Sequence, residues 1–389
     1  MAMLHRIRTM KVWAAAAAAL LHVSSVQSGP AAQLVVPAPP AVAASAYLVQ
    51  DFESGQILVE QNIDARVEPA SLTKMMTTYV VESEMATGRI KPEDLVRISE
   101  KAWRMEGSKM FVEVNKEVSV QDLMRGVIIQ SGNDASVALA EHVAGSEEVF
   151  AAMMNEHAKR LGMNGSNFKN STGWPEPDHY TTARDLATLG MALIRDFPAA
   201  YKLHSEKEFV FNDITQRNRN ELLWTDGTID GIKTGHTETA GYCLVASALR
   251  DGMRLVSVVM GTSGSNARAN ATSALLNYAF RFYESHTIAA GQQPLAQGKV
   301  WKGVSDIVTA GLLQDLKLAI PRGSLAQLEK KPVLESRIVA PVQKDAAIGT
   351  FSVSLNGKGI ASRPLVALQA VESAGLFGRI ADDVRLMFE

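Results

Sequence analysis

The sequence has little of what would define several large classes of protein: its 389 residues include one cysteine, which excludes an intrachain disulfide. Aromatic residues make up 6% of the chain, which argues against a stacking platform for bases or glycans. The formal net charge is −2, so no strong positive field is present to attract nucleic acid. The eight histidines lack the paired spacing typical of metal ligands. We therefore expect no nucleic-acid partner, no metal and no cofactor.

What is present is the composition of an ordinary globular protein, with 47% apolar and 21% charged residues. This balance excludes a wholly disordered, collagenous or coiled-coil chain. Because 389 residues exceed the usual size of one domain, the length predicts two or three domains with sizeable cores.

The N-terminal segment contains no aspartate or glutamate before Asp51. Arg6, Arg8 and Lys11 precede an apolar stretch over residues 12–21, and small residues follow it. This order of charged, apolar and small residues is typical of a secretory signal peptide. The apolar stretch, at about ten residues, is too short for the ~20 that a membrane-spanning helix needs. A retained amphipathic or transit segment is the alternative interpretation.

We predict that residues 1–28 are a signal peptide cleaved after Ser28, with Ala43 as the alternative position. The mature protein would then work outside the cytoplasm. Residues 29–45 are rich in proline and alanine, and we interpret them as a linker.

Residues 46–285 combine strand and helix patterns and are interpreted as one domain. The predicted strands lie over residues 47–49, 56–59, 242–249 and 253–260, and the last two form a hairpin. The predicted helices lie over residues 69–85, 133–144, 182–195 and 270–283. This combination predicts an α+β fold in which helices pack on an antiparallel sheet.

Short apolar runs separated by proline and glycine occupy residues 286–371. The predicted strands there lie over residues 307–308, 316–320, 339–342, 351–355 and 365–368, and Asn356-Gly357 predicts a hairpin turn. We interpret this region as a small all-β domain.

The last segment, residues 372–389, has a helical pattern instead. Its apolar residues fall on one face, namely Leu376, Phe377, Ile380, Val384, Met387 and Phe388. Two interpretations are open: an amphipathic helix that contacts a membrane surface through residues 376–389, or a helix packed on the β domain. The polar face is not basic, which weakens the membrane interpretation.

Ser71-Leu72-Thr73-Lys74 places a hydroxyl and an amine one turn apart at the start of the first predicted helix. Lys74 could take the Ser71 proton if its amine were neutral, which requires a pKa of ~10.4 to fall by roughly three units. Burial and a second cation nearby can supply that shift. Ser166-Asn167-Phe168-Lys169 has the same spacing but no helix start, so we interpret it as chance. Taken alone, a serine and a lysine three residues apart on a helix are more often structural than catalytic.

Two further polar motifs favour a catalytic interpretation of Ser71 and Lys74. Ser131-Gly132-Asn133 precedes a helix, and it offers a hydroxyl to relay a proton and an amide to hold a substrate carbonyl. Serine and asparagine are also ordinary helix N-caps, which is the simpler interpretation of this motif alone. Lys233-Thr234-Gly235 offers a positive charge, a donor for a carboxylate and a small residue that lets a substrate backbone approach. Taken alone, Lys233-Thr234-Gly235 could be the end of an ordinary strand.

In the order Ser-x-x-Lys, Ser-x-Asn and Lys-Thr-Gly, the three motifs resemble those of the penicillin-binding and serine β-lactamase superfamily. The surrounding residues, 69–76, 130–135 and 230–237, narrow the resemblance to the low-molecular-mass penicillin-binding proteins of type five. These proteins are serine-type D-alanyl-D-alanine carboxypeptidases. The resemblance extends from residue 47 to the C-terminus, and it implies a transpeptidase-like catalytic domain over residues 46–285.

The resemblance implies an enzyme that removes the terminal D-alanine from peptidoglycan stem pentapeptides and is inhibited by β-lactams. It also implies a periplasmic protein that attaches to the outer face of the inner membrane. The implied catalytic residues are Ser71 as nucleophile, Lys74 as general base and Ser131 as proton relay. The implied substrate-binding residues are Asn133, which orients the peptide, Gly235 beside the substrate backbone, and Lys233, Thr234 and Arg268 near the substrate carboxylate. The backbone N–H groups of Ser71 and His236 form the implied oxyanion hole.

The nearest alternative is a serine β-lactamase, which in class A holds its hydrolytic water in a Glu-x-x-Leu-Asn setting. Glu221-Leu222-Leu223-Trp224 is not equivalent to that setting. A non-hydrolytic wall-binding scaffold of the same fold is the alternative from another class, although all three polar motifs are intact. Cys243 is interpreted as a buried small hydrophobe on a strand and not as a nucleophile.

Overall fold

The computed structural model describes residues 36–386, so the predicted signal peptide and residues 29–35 lie outside the described range. Within that range the strands are β1 Ala46–Asp51, β2 Ile57–Gln61, β3 Leu95–Arg97, β4 Glu117–Ser119, β5 Glu208–Phe211, β6 Ile214–Arg217, β7 Ile229–Thr237, β8 Gly241–Arg250, β9 Met253–Thr262, β10 Tyr283–Ala289, β11 Ala296–Trp301, β12 Ile307–Gly311, β13 Leu316–Pro321, β14 Leu328–Leu334, β15 Ile338–Val339, β16 Ala347–Leu355 and β17 Lys358–Ala367. The α-helices are α1 Thr73–Ala86, α2 Glu100–Arg104, α3 Val120–Arg125, α4 Asn133–Ala144, α5 Glu147–Leu161, α6 Ala183–Asp196, α7 Leu222–Thr225, α8 Ser265–Phe282 and α9 Leu376–Leu386. None of these described helices combines the length and the apolar character needed to cross a membrane.

A five-stranded antiparallel sheet with strand order β2-β1-β9-β8-β7 forms the centre of the first domain. Side chains alternate between its two faces, as strand geometry requires. Leu48 and Val258 belong to the core shared with α1, α4 and α6, whereas Val49 and Val259 belong to the core shared with α8. The predicted α+β architecture is therefore confirmed, and β7 is left as an edge strand of the sheet.

The helix predicted from Pro69 begins as a short 3-10 turn over Ala70–Leu72 and continues as α1. Buried residues occur on every side of the first half of α1, which is typical of a helix that passes through a protein interior. Ser71 therefore lies at the start of a buried helix, and Lys74 lies one turn further inside.

Helix α8 begins at Ser265, so the predicted start at residue 270 was wrong by one turn and a half. The chain is extended at Gly264, whose carbonyl accepts the first helical hydrogen bond from the N–H of Arg268. The first turn contains no large apolar residue, and the pattern of apolar positions therefore could not reveal it. As a result, Arg268 lies within the helix and is buried, with 7% of its surface exposed.

The second domain contains a six-stranded sheet, in the order β14-β16-β17-β12-β11-β15, and the pair β10-β13. Asn356 and Gly357 both have positive φ, as the predicted hairpin turn between β16 and β17 requires. Strand β14 was missed because nearly all of its side chains are exposed, so it has no alternating pattern. The strand predicted over 339–342 is shorter, because Pro341 has no N–H to donate to a strand ladder.

The part of the predicted linker that the structure describes, residues 36–45, has no helix or strand but packs on the first domain. The Tyr278 hydroxyl on α8 donates to the Pro37 carbonyl at 2.6 Å, and Val36 and Val42 contact the α8 core. These residues are therefore held against the domain. The domain boundaries inferred from the sequence stay predictions.

Helix α9 contacts the β domain through its polar side. Asp382 accepts a hydrogen bond from the backbone N–H of Lys302 at 2.6 Å, and Asp383 pairs with the Lys302 ammonium group. Leu376, Phe377, Ile380 and Val384 are exposed, and Phe377 has 88% of its surface accessible to solvent. The helix is thus attached to the β domain while its apolar face remains uncovered.

Candidate active site

A cavity of about 1250 Å³ opens beside the edge strand β7, the start of α1 and the turn that precedes α4. Seven of the nine predicted site residues line it, namely Ser71, Ser131, Asn133, Thr234, Gly235, His236 and Arg268. The other two, Lys74 and Lys233, are buried beside these lining residues. The fold therefore brings three motifs that are far apart in the sequence to one cavity.

Lys74 is completely buried, and three oxygen atoms surround its amine nitrogen. Nζ lies 3.1 Å from Ser71 Oγ, 2.7 Å from Asn133 Oδ1 and 2.7 Å from the carbonyl oxygen of Thr172. A neutral amine has two hydrogens and one lone pair. Two carbonyl oxygens can accept the hydrogens, which leaves the lone pair for the Ser71 hydroxyl.

The protonation equilibrium of Lys74 is shifted toward the neutral amine. Burial, followed by the positive charge of Arg219, lowers the pKa of Lys74 from 10.5 to about 7. The negative charges of Asp134 and Glu147 oppose this shift. Arg219 is thus the second cation that the sequence analysis required, although the sequence did not reveal which residue supplies it.

Ser131 is held in the left-handed conformation, with φ of 66°, at the end of a π-helical turn over Gly126–Gln130. Its side chain is buried, and Oγ has no hydrogen-bond partner. A buried hydroxyl without a partner typically costs about 1–3 kcal/mol, so its presence needs an explanation. A substrate in the cavity could supply the missing partner.

The N-cap interpretation of the Ser131-Gly132-Asn133 motif is wrong, because the N-cap of α4 is Gly132 and has no side-chain hydrogen bond. Asn133 instead accepts from Lys74 and donates from Nδ2 to the Glu106 carbonyl at 2.6 Å. One hydrogen of its NH₂ group therefore remains for a substrate carbonyl. Asp134 accepts backbone N–H bonds from Met110 and Phe111, which fixes the loop across the cavity.

Lys233 and Thr234 are buried on β7, and Lys233 Nζ lies 3.2 Å from the carbonyl oxygen of Thr234. Burial and then the charges of Lys74, Arg219 and Arg268 hold the pKa of Lys233 well below its ordinary value. Two guanidinium groups, those of Arg219 and Arg268, and the two buried amines therefore lie at one end of the cavity. Such a concentration of positive charge favours a carboxylate ligand.

Gly235 lines the cavity, and its small size is required by packing inside the protein and not by the approach of a substrate backbone. A Cβ atom there would lie 3.1 Å from both Leu72 Cγ and the carbonyl oxygen of Pro69. The glycine therefore lets β7 pass close to the turn that carries Ser71. The next residue, His236, is exposed, and its ring lies 3.9 Å from that of Tyr242 on β8.

Arg268 is buried at the cavity wall and donates to the Arg219 carbonyl at 3.3 Å. Its guanidinium also lies over the Tyr242 ring at 5.7 Å. Without the family resemblance this residue would have been interpreted as a solvated charge at the start of a helix. The longer helix α8 is what carries it to the cavity.

Sequence analysis missed Thr172, Trp174 and Arg219. Thr172 contributes its backbone carbonyl to Lys74, so its side-chain type carried no signal. Trp174 lines the cavity with 46% of its surface exposed, and Arg219 lines it from the segment between β6 and α7. Neither residue belongs to a motif with a recognisable spacing.

Cys243 lies on β8 opposite Gly235 and is fully buried. Burial raises the pKa of its thiol to about 11, so the thiolate needed for nucleophilic attack is disfavoured. This agrees with its interpretation as a buried small hydrophobe. Among residues 36–386, no group of three or more histidine, cysteine, aspartate or glutamate side chains is arranged to hold a metal ion.

Both domains are similar to known proteins. A family model described as D-alanyl-D-alanine carboxypeptidase matches residues 33–264. A second model, described as the C-terminal domain of penicillin-binding protein 5, matches residues 282–373. The D-alanyl-D-alanine carboxypeptidase DacA of Escherichia coli strain K12 is 44% identical over 362 residues, which are 91% of this chain and 90% of that protein.

Solved structures agree with these matches. Penicillin-binding protein 5 from Haemophilus influenzae superposes with a TM-score of 0.85 and 41% identity, covering 87% of this chain and 100% of that one. Penicillin-binding protein D2 from Listeria monocytogenes, in an ampicillin-bound form, superposes with a TM-score of 0.57 and 29% identity, covering 61% of this chain and 98% of that one. By sequence and by structure, the chain belongs to the D-alanyl-D-alanine carboxypeptidase family.

Proposed function

We propose that this chain is a serine-type D-alanyl-D-alanine carboxypeptidase. It removes the terminal D-alanine from peptidoglycan stem pentapeptides through an acyl-enzyme on Ser71. The observation that carries the proposal is the set of contacts at Lys74, whose amine is buried, has a pKa of about 7 and lies 3.1 Å from Ser71 Oγ. A serine is a weak nucleophile until a base of this kind takes its proton.

Acylation begins at Ser71. Lys74 donates its two amine hydrogens to Asn133 Oδ1 and to the Thr172 carbonyl, and its lone pair accepts the Ser71 proton. Ser71 Oγ then bonds to the carbonyl carbon of the penultimate D-alanine. The negative charge that develops on the carbonyl oxygen is stabilised by the backbone N–H groups of Ser71 and His236. Support for this oxyanion hole comes from the edge position of β7, since alternate backbone groups of an edge strand are free to face a ligand.

Release of D-alanine requires a proton on its nitrogen as the C–N bond breaks. The unpartnered Ser131 hydroxyl lines the cavity and relays that proton from Lys74 to the leaving amine. A water molecule then attacks the acyl-enzyme and loses a proton to Lys74, which passes it to Ser71 Oγ as the ester bond to Ser71 breaks. The products are free D-alanine and the shortened peptide.

The terminal carboxylate of the substrate binds at the cationic end of the cavity. Arg268 supplies positive charge there, Thr234 supplies a hydroxyl donor, and Lys233 supplies a buried amine behind them. Asn133 donates its free amide hydrogen to a peptide carbonyl, and Gly235 lets β7 lie close to the turn that carries Ser71. β-Lactams acylate the same serine, an inference supported by the similarity to a protein solved in an ampicillin-bound form.

The chain acts in the periplasm and contacts the outer face of the inner membrane through residues 376–389. The N-terminal pattern supports export, and the uncovered apolar face of α9 supports contact with a lipid surface.

The proposal is tested by measuring D-alanine release from a peptide that ends in D-alanyl-D-alanine, with the mature protein and its Ser71→Ala variant. We expect release by the wild type and a loss of about a thousandfold or more in the variant, because the covalent step has no nucleophile. Covalent labelling by a fluorescent penicillin should disappear in parallel. A folded wild type that releases no D-alanine would contradict the proposal, and rapid nitrocefin turnover would then indicate a β-lactamase.

A further inference from the structure

The carbonyl of Thr172 is a critical contact of Lys74, yet the segment that carries it has no regular structure. Residues 169–176 contain only bends and irregular backbone, so no helix or strand ladder fixes the position of this carbonyl. Side chains must hold it instead. Asn170 contributes within the segment, since its Oδ1 accepts from the N–H and hydroxyl groups of Thr172 and from the N–H of Gly173.

Glu147 holds the same segment from outside. Its Oε1 accepts both the backbone N–H of Ser171 at 3.1 Å and the Ser171 hydroxyl at 2.7 Å. Both residues are buried, with 8% and 0% of their surfaces exposed. A carboxylate that accepts two buried donors forms charge-assisted hydrogen bonds, which are the stronger kind.

Further contacts fix both Ser171 and Glu147. The Ser171 carbonyl accepts from the Thr77 hydroxyl at 2.6 Å, and Thr77 lies on α1 less than one turn after Lys74. The second oxygen of Glu147, Oε2, pairs with Lys101 at 3.0 Å. Glu147 is thus fixed from α2, and the segment it holds is fixed to the helix that carries the base.

We propose that Glu147 is a positioning residue for Lys74. It acts through Ser171 to hold the Thr172 carbonyl where it accepts one amine hydrogen, so that the lone pair of Lys74 is directed at Ser71 Oγ. This inference rests on the proposed function, and it gives Glu147 a role although it contacts neither the cavity nor Ser71.

Glu147 also affects the pKa of Lys74 through its negative charge. The pH dependence of activity therefore provides a second test of its role. The charged groups with a resolved effect on the pKa of Lys74 are Arg219, which lowers it, and Asp134 and Glu147, which raise it. Lys233 is a second buried amine nearby, and the charge of Lys74 contributes to lowering its pKa. Removing the charge of Glu147 therefore lowers the pKa of Lys74 and extends activity to lower pH.

Three variants separate the two effects. Glu147→Gln keeps an acceptor oxygen for Ser171 but removes the charge, Ser171→Ala keeps the charge but removes the hydroxyl bond, and Glu147→Ala removes both contacts. Glu148→Gln is the matched control, because it removes a carboxylate that also faces Lys101 but is exposed. The measurements are the pH profile of kcat/KM for D-alanine release and the acylation rate with a penicillin.

We expect the acidic limb of Glu147→Gln to move down by about half a pH unit while the plateau stays within about threefold of wild type. We expect Ser171→Ala to leave the acidic limb of the pH profile in place and to lower the acylation rate about three- to tenfold. We expect Glu147→Ala to lower the acylation rate more than tenfold with KM little changed. Glu148→Gln should match wild type in both respects.

An unshifted limb in Glu147→Gln together with wild-type acylation in Ser171→Ala would overturn the proposal, even if Glu147→Ala failed to fold. This result is distinct from failure of the proposed function, in which the wild type itself would neither release D-alanine nor bind penicillin covalently.

Discussion

At the scale of single residues, Lys74 shows how burial converts an ordinary ammonium group into a base. A shift from 10.5 to about 7 corresponds to roughly 5 kcal/mol of preference for the neutral form relative to water. Burial is the largest cause, and Arg219 adds to it at a distance. The same burial would be costly for an amine without partners, and the carbonyls of Asn133 and Thr172 supply them.

The charge of Arg219 leads to a prediction about pH dependence. Because Arg219 lowers the pKa of Lys74, Arg219→Gln should raise it, so that the amine is protonated at a higher pH. We expect the acidic limb of kcat/KM to move up by about half to one pH unit. Arg217→Gln is the control, since Arg217 lines the same cavity but has no resolved effect on Lys74. A limb that stays in place or moves down in Arg219→Gln would contradict this account.

At the scale of secondary-structure elements, α9 was correctly predicted as an amphipathic helix, while its orientation could not be predicted. The sequence left a membrane surface and the β domain as alternatives for its apolar face. Asp382 and Lys302 attach the polar side to the β domain, so Leu376, Phe377 and Ile380 are exposed. The apolar face of α9 therefore does not pack on the β domain.

A substitution on α9 tests contact with membranes. Replacing Phe377 and Ile380 by serine should weaken co-sedimentation with anionic phospholipid vesicles by about a hundredfold or more, because each of the two side chains contributes roughly 1.5–3 kcal/mol when buried in lipid. D-alanine release should stay unchanged, since α9 contacts the β domain and not the cavity. Leu95→Ser is the control, because it removes an exposed apolar side chain from the first domain and leaves α9 unchanged. Equal vesicle binding by wild type and the double variant would exclude α9 as a membrane contact.

At the scale of the whole molecule, the hairpin of β1 and β2 joins the two domains. The buried carboxylate of Asp51 accepts from Ser285 Oγ on β10 at 2.9 Å. Gln56 Oε1 accepts from the Ala319 N–H on β13 at 2.7 Å, and Lys317 pairs with Glu53 at 2.8 Å. Polar contacts therefore attach the β domain to this hairpin. The Asp51 contact involves a buried carboxylate, whereas the Lys317–Glu53 pair is partly exposed to solvent.

This difference predicts an order of stability effects. Ser285→Ala leaves a buried carboxylate oxygen without its donor and should lower the free energy of unfolding by about 1–3 kcal/mol. Lys317→Ala breaks an ion pair whose two side chains are each 37% exposed, and should cost less than about 1 kcal/mol. Urea unfolding of the two variants beside wild type measures both values. A larger loss in Lys317→Ala than in Ser285→Ala would contradict this assignment.

The sequence by itself determined the features that depend on neighbours along the chain. The placement of Ser71 and Lys74 one turn apart, the end of α4 at Ala144 and the Asn356-Gly357 turn are local, and each was predicted correctly. Alternation of apolar residues likewise revealed β8 and β9, because strand geometry alone places successive side chains on opposite faces.

Only the tertiary structure decided the features that depend on contacts through space. Thr172 meets Lys74 from 98 positions away and contributes a backbone atom, which no residue pattern encodes. The close approach of β7 to the Ser71 turn explains Gly235, and the earlier start of α8 carries Arg268 to the cavity. The basicity of Lys74 belongs to this group as well, because burial and the charge of Arg219 exist only once the chain has folded.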